Sequence, residues 1–255
     1  MSNESALKNF VKGQVTKKTQ WNESLFSLEV SAEIAPYIAG QFCKLALQNG
    51  NGDWLRRAYS FVNPPSTSTH EFLITEVNDG GLSPLLAKLN VGDDIWLTEK
   101  SSGFLTIEEI PMDREDLWLL STGSAIGPFL SILADTNTSE RFQRLVLVHA
   151  VRYQQDLVYK ELIEKLKQEL GERFSYIPVV SREDYREALL GRIPVLIEDG
   201  QLLDKAGFTF SPETSFFMIC GNPNMVKDTT NVLIEQGFEK NLRRKPGHIA
   251  TENYW

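Results

Sequence analysis

Cysteine and histidine are scarce in this 255-residue chain, which holds two of the first and three of the second. Cys43 and Cys220 cannot supply the four ligands of an iron–sulfur cluster or a Cys₄ zinc site. His70, His149 and His248 stand at no metal-ligand spacing, with each other or with cysteine. Any redox chemistry therefore calls for an organic cofactor. Long apolar runs are missing as well, since none approaches the ~18–20 residues that cross a bilayer. The opening Met1-Ser2-Asn3-Glu4-Ser5 lacks the basic flank and apolar stretch of a secretory signal, so the cytoplasm is expected and a membrane partner is not. Positive charge is in deficit: 26 Lys and Arg against 34 Asp and Glu leave −8, which argues against general nucleic-acid binding.

What is present is an ordinary globular composition, 42% apolar and 24% charged. Up to about residue 112 the chain reads mostly as strands. Phe26, Leu28 and Val30 alternate onto one face, and 42–47, 71–77 and 95–98 follow between turn-like segments such as 49–53 and 79–81. One helix, from Pro84 to about Asn90, interrupts them, with Ser83 as its N-cap and Gly92 as its close. An antiparallel β-barrel or sandwich fits this half. From residue 113 the rhythm changes to apolar runs at 117–120, 145–148, 176–180 and 216–219, alternating with helical stretches at 129–134 and 156–170. That alternation predicts an α/β domain with a parallel sheet covered on both faces. The expected division is thus 1–112 and 113–255.

Several segments carry candidate chemistry. Arg57-Ala58-Tyr59-Ser60 places Arg57 and Tyr59 on one strand face, where a guanidinium suits a diphosphate and a phenol suits a flat heteroaromatic ring. Gly81-Leu82-Ser83 opens a helix, a setting in which free N–H groups favour a pyrophosphate. The turn from Thr122 through Gly123, Ser124 and Gly127 to Pro128 joins a buried strand to a helix, the expected ligand-facing position of a nucleotide-binding sheet. Its glycines stand four apart, so it is neither a G-x-G-x-x-G fingerprint nor a Walker loop. Val151-Arg152, Ser181-Arg182 and Arg192 follow successive apolar strands or lie close behind one. Convergent guanidiniums there suit a phosphate monoester such as the 2′-phosphate of NADP. Cys220-Gly221-Asn222-Pro223 is again strand, turn and helix, and Tyr254-Trp255 puts two aromatics at a terminus where large rings need something to pack on.

In this order, the segments resemble the ferredoxin–NADP⁺ reductase family, and most closely its bacterial ferredoxin/flavodoxin branch. The resemblance covers nearly the whole chain and rests on Arg57-Ala58-Tyr59-Ser60, Leu82-Ser83-Pro84, the 122–128 turn, Cys220-Gly221-Asn222-Pro223 and the Tyr254-Trp255 end. It implies FAD in the first half and NADP(H) in the second. Arg57 and residues 81–83 would hold the FAD diphosphate, Tyr59 would stack on the isoalloxazine, and Ser60 would lie near flavin N5. Ala58, Ser124 and Tyr254 would complete the flavin site, and Trp255 would stack on the adenine. Val151, Arg152, Ser181, Arg182 and Arg192 would bind the adenosine phosphate, with Gly221 and Asn222 nearby and Cys220 bordering the nicotinamide. Ser124 stands where relatives often carry threonine and keeps the hydroxyl. Plant-type members end in a tyrosine that covers the flavin; this chain ends in tryptophan, so tyrosine-gated entry is not carried over.

The implied reaction is hydride transfer from NADPH to flavin, then single-electron steps to ferredoxin or flavodoxin, performed by a monomer. Ser60 and Cys220 would flank the transfer path. An acidic carrier needs a basic contact surface, and Lys240, Arg243, Arg244 and Lys245 form the densest cluster, with Lys17 and Lys18 as an addition. An oxygenase reductase component, a quinone or ferric reductase, and a nucleotide-binding regulator remain open alternatives.

Overall fold

Two six-stranded sheets organise the protein, whose computed structural model describes residues 7–254. The first sheet is antiparallel and comprises β1 (Phe10–Gln20), β2 (Leu25–Ser31), β3 (Phe42–Gln48), β4 (Trp54–Ser60), β5 (His70–Thr75) and β6 (Asp94–Thr98) in the order β4-β3-β6-β1-β2-β5. Period-two alternation drives its closure: Phe26, Leu28 and Val30 point inward onto Leu45, Phe72, Ile74, Ile95 and Leu97. A register shift between Val15 and Lys17 gives the long β1 a bulge, which increases its coil. The edge strands β4 and β5 meet at one end, where Phe61 bridges Phe72 and the Val62 amide donates to the Glu71 carbonyl at 2.9 Å.

The helix expected from Pro84 to Asn90 is shorter. It runs as α1 (Ser83–Ala87), its N-cap is Leu82 rather than Ser83, and Lys88 rather than Gly92 closes it. The Ser83 hydroxyl accepts from the Val77 amide at 3.0 Å, so it organises the preceding turn instead of the helix start.

The second sheet is parallel. It contains β7 (Asp116–Thr122), β8 (Arg144–Val151), β9 (Phe174–Val180), β10 (Leu189–Leu190), β11 (Ser215–Gly221) and β12 (Ile249–Asn253) in the order β10-β9-β8-β7-β11-β12. Between the strands lie α2 (Gly127–Ala134), α3 (Thr136–Arg141), α4 (Lys160–Leu170), α5 (Ile193–Glu198), α6 (Gln201–Ala206) and α7 (Pro223–Glu235). Leu117, Leu119, Leu145, Leu147, Phe216 and Met218 pack on one face with Phe129 of α2 and Ile163 and Leu166 of α4. Trp118, Leu120, Val146, Val148, Phe217 and Ile219 pack on the other with Leu196 of α5 and Leu233 of α7. Continuous apolar runs are what a sheet buried on both faces requires. The helix expected from Asp156 begins only at Lys160, because Gln154–Asp156 form a separate 3₁₀ turn and Tyr159 adopts a left-handed φ of 60°. Among the described residues no helix is long and apolar enough to cross a membrane.

The two sheets share one core. Leu25, Val62 and Leu73, on the outer face of the barrel wall, pack with Ala125, Ile126, Phe129 and Leu130. Gly127 permits the approach, since a Cβ there would come within 3.2 Å of Val62. Arg141 fastens the connecting segment by donating to the carbonyls of Ile107, Ile110 and Pro111, the last two at 2.6 and 2.9 Å. Phe129→Ala is expected to cost about 3–5 kcal/mol. Because both halves bury this ring, denaturant unfolding of the variant should lower the stability of both sheets together in a single transition.

Candidate functional site

The strand order reverses between β7 and β11, and the carboxyl ends of these neighbours define the crevice where open α/β sheets bind ligands. Two turns are locked together there. The Asn222 amide donates to Thr122 Oγ1 at 2.9 Å. Gly221, at φ 142°, lies so close that a Cβ would meet Thr122 Oγ1 at 2.0 Å, which only glycine avoids. The Asn222 side chain caps α7 by accepting from the Asn224 and Met225 amides at 2.9 and 3.4 Å. On the other side of the crevice the Tyr254 amide donates to the Gly221 carbonyl at 3.0 Å, carrying the chain end back over the site. Trp255 lies outside the described residues.

The barrel supplies the facing wall. β4 ends at Ser60, which is buried and whose hydroxyl has no hydrogen-bond partner among the described residues. Tyr254 lies beside Ser60, Tyr59 and Cys220, and burial holds its phenol well above the ordinary range. Tyr59 is likewise pushed up to about 12 by burial, against the pull of Arg57. Thr75 donates to Ser124 at 3.3 Å across the two halves. Further along the face of β4 that carries Tyr59, Arg57 is exposed, and its guanidinium donates to the Arg56 carbonyl at 2.8 Å. The 81–83 turn overlies that face, because a Cβ on Gly81 would touch Leu55 at 3.6 Å. Leu82 buries its side chain in the barrel core, so only its backbone faces outward. Ala58 sits between Arg57 and Tyr59 with its side chain exposed on the opposite face.

The three arginines follow successive strands of the parallel sheet. Arg152 follows β8, Ser181 and Arg182 follow β9, and Arg192 follows β10, so all stand at the carboxyl edge of adjacent parallel strands. The Arg182 amide donates to the Arg152 carbonyl at 3.0 Å, and Ser181 Oγ to the Val151 carbonyl at 3.2 Å. All three guanidiniums are exposed, and none forms a salt bridge among the described residues. A cavity of about 220 Å³ beside them is lined by Tyr153, Gln154, Gln155 and Glu183. The Lys240–Lys245 cluster stands elsewhere. Lys240 bridges Ile249, the first residue of β12, whereas the crevice is at its last, and Lys245 already pairs with Glu239 at 2.7 Å. Lys17 is similarly engaged with Glu29 at 2.9 Å.

Residue reasoning from sequence missed His149, and it named Thr122 only as the start of the 122–128 turn. His149 is fully buried at the end of β8 and donates from Nε2 to the Gly123 carbonyl at 3.1 Å, holding the 122–128 turn; burial lowers its pKa to about 4, so the ring is neutral. Cys220 is driven well above the usual thiol range by burial and then by Glu252, its register partner on β12. It is therefore a neutral thiol rather than a nucleophile. Burial also raises Glu252 to about 7 from 4.5. Between those values the folded chain keeps a proton that the unfolded chain has lost, so this group's contribution to stability falls as pH rises through the window. Glu252→Gln should accordingly gain about 2–3 kcal/mol over the unaltered protein at pH ~8 and nothing at pH ~4. Denaturant titrations at both values check it, and a pH-independent difference would contradict it.

Comparison with known proteins agrees with this geometry. Residues 12–99 match the oxidoreductase FAD-binding domain family, and residues 119–231 match the oxidoreductase NAD-binding domain family. The chain is 46% identical to the flavodoxin/ferredoxin–NADP reductases of Shigella flexneri and of Escherichia coli strain K12, in each case covering 97% of this chain and 99% of the relative. A ferredoxin NADP⁺ reductase from Neisseria gonorrhoeae, solved with bound FAD and NADP, superposes with a TM-score of 0.91 at 35% identity, over 96% of this chain and 99% of that one. The crevice, its two facing walls and these full-length likenesses lead to one conclusion: the chain belongs to the flavodoxin/ferredoxin–NADP reductase family.

Proposed function

We propose that this protein is a flavin-dependent oxidoreductase that moves electrons between NADPH and ferredoxin or flavodoxin, working as a monomer in the cytoplasm. The observation that carries the reading is the Ser60 hydroxyl, which is buried beside Tyr254 where the two halves meet and has no hydrogen-bond partner among the described residues. A buried hydroxyl without a partner is costly unless a ligand satisfies it. The donor set fits FAD: Ser60 offers a hydrogen bond, Tyr59 and Tyr254 offer rings, and Arg57 with the amides of residues 81–83 offers positive charge for a diphosphate. The fit extends to a second nucleotide, since Arg152, Arg182 and Arg192 are matched to a 2′-phosphate.

When bound, the flavin supplies the redox chemistry, taking up electrons in pairs and releasing them singly. The chain's own part is position and exclusion of water. Gly221, Asn222 and the 122–128 turn shape the floor on which the nicotinamide half of NADP(H) rests, with Ser124 at the seam. Cys220 borders that floor as a small neutral group. Ser181 and Val151 anchor the adenosine-phosphate loop through the hydrogen bond between them. In this reading residues 1–112 form the FAD half and 113–255 the NADP half.

Two measurements test the reading. Arg152→Ala and Arg182→Ala should each raise the KM for NADPH by about 10–100-fold, the loss of a charge-assisted hydrogen bond worth ~1.5–3 kcal/mol, and leave NADH turnover nearly unchanged. Equal losses with both nucleotides would remove the phosphate assignment. In the second, reduction of added ferredoxin or flavodoxin after anaerobic NADPH titration should slow as ionic strength rises, because salt screens the attraction between a basic docking face and an acidic carrier.

A further inference from the structure

Tyr159 stands out from its neighbours in conformation. It is an aromatic residue held at φ 60°, ψ 29°, a left-handed conformation that such side chains rarely adopt, and it is buried. Strain of this kind persists where surrounding contacts over-determine it. Here the contacts come from the other half of the molecule. The Tyr159 hydroxyl donates to Glu71 Oε1 on β5 at 2.6 Å, and its ring packs against Trp21 with centroids 4.7 Å apart. One residue further on, Asn22 uses its side-chain oxygen to accept from the Ser24 and Leu25 amides, closing the β1–β2 turn. Its side-chain nitrogen reaches across to Asp156 Oδ1 at 2.9 Å and the Gln155 carbonyl at 3.3 Å.

The segment so gripped, 155–159, directly follows Arg152 and Tyr153. Asp156 accepts from the Tyr153 amide at 3.4 Å and donates its own amide to the Tyr153 carbonyl at 3.0 Å, closing the turn that carries them. The Gln154 amide donates to Glu183, and the Arg182 amide to the Arg152 carbonyl, so the second arginine loop is tied to the first. A continuous chain of contacts thus runs from the flavin barrel to both arginines.

We propose that Trp21, Asn22 and Glu71 of the barrel, with Asp156 and Tyr159, form a latch that sets the distance between the arginine loops and the flavin wall. These five act as positioning residues for the nicotinamide. The inference rests on the functional reading above. A dinucleotide held at its phosphate end delivers its far ring wherever the anchor stands, and a misplacement of about 1 Å can cost about 100-fold in rate. The latch fixes that anchor.

The test compares Tyr159→Phe, Asn22→Ala and Glu71→Gln in the FAD-loaded full chain. Tyr159→Phe and Asn22→Ala should slow flavin reduction at saturating NADPH by about tenfold, while affinity for 2′,5′-ADP, measured by calorimetry, stays within about a factor of two. Hydrogen exchange at the 153–156 amides should accelerate in both variants without NADP present. Glu71→Gln keeps an acceptor for the tyrosine and should keep the parent rate. Unchanged reduction and exchange in both Tyr159→Phe and Asn22→Ala would overturn the latch. So would a parallel loss of 2′,5′-ADP affinity, which marks damage to the binding loop itself. Should Tyr159→Phe fail to fold, Asn22→Ala alone decides. Failure of the underlying reading looks different: the parent protein itself would not bind 2′,5′-ADP.

Discussion

The wall of the barrel is buried on both of its faces, and the rest of the structure depends on that. Strands β2 and β5 turn Phe26, Leu28, Phe72 and Ile74 into the barrel and Leu25 and Leu73 outward onto the parallel-sheet half. A wall covered on one side only would let the two halves move as independent bodies. Burying the second side under Ala125, Ile126 and Phe129 joins two cores into a continuous apolar contact, which resists relative sliding because packed interiors tolerate little displacement. The turn between β7 and α2 is part of this seam, so the element that shapes the crevice also holds the halves together. Tyr254 meets Ser60 and Cys220 as a consequence of that packing.

Within the frame, a few polar contacts define the crevice to a fraction of an ångström. Thr122 and Gly221 are so close that neither turn can shift alone. His149, buried and neutral, pins the Gly123 carbonyl from below. A charged imidazole there would carry an uncompensated charge in the sheet interior, so burial selects the neutral form that can hold this bond. Asn222 serves twice, its amide on Thr122 and its side chain on the start of α7.

Much of this was legible in the amino-acid order, and what was not has identifiable causes. The alternation of Phe26, Leu28 and Val30 and the continuous run 117–120 report burial directly, because each strand's surroundings are written into its own residues. The turn at 122–128 was legible because glycine and proline mark backbone geometry locally. The start of α4 was not: Asp156–Tyr159 has no helix breaker, and the halt at Lys160 comes from Glu71 and Asn22, which lie 88 and 134 positions away from their partners. Ser83 has the chemistry of an N-cap, yet the Val77 amide competed for its hydroxyl. The basic run Lys240–Lys245 gave no hint of which sheet edge it occupies, since that depends on the direction in which β12 is added to the sheet. The two-sided wall likewise depends on pairing across the chain, and Leu25 or Leu73 alone says only that something covers it.

The ionisable groups divide by depth, and the division matches what hydride transfer between two flat rings demands. Around the crevice, burial shifts Tyr59, Cys220, Glu252 and Tyr254 toward their neutral forms. Arg57, Arg152, Arg182 and Arg192 are exposed at its margins. A fixed charge beside the rings would favour one redox state over the other and carry a large desolvation cost in a low-dielectric pocket. At the margins the same charge suits diphosphate and phosphate groups, because solvent lowers its desolvation cost and bidentate geometry gives selectivity. Binding energy can thus be gathered at the ends of both nucleotides, and the reacting centre left neutral and close-packed. The barrel supports one end and the parallel sheet the other, and the doubly buried wall keeps the two in register.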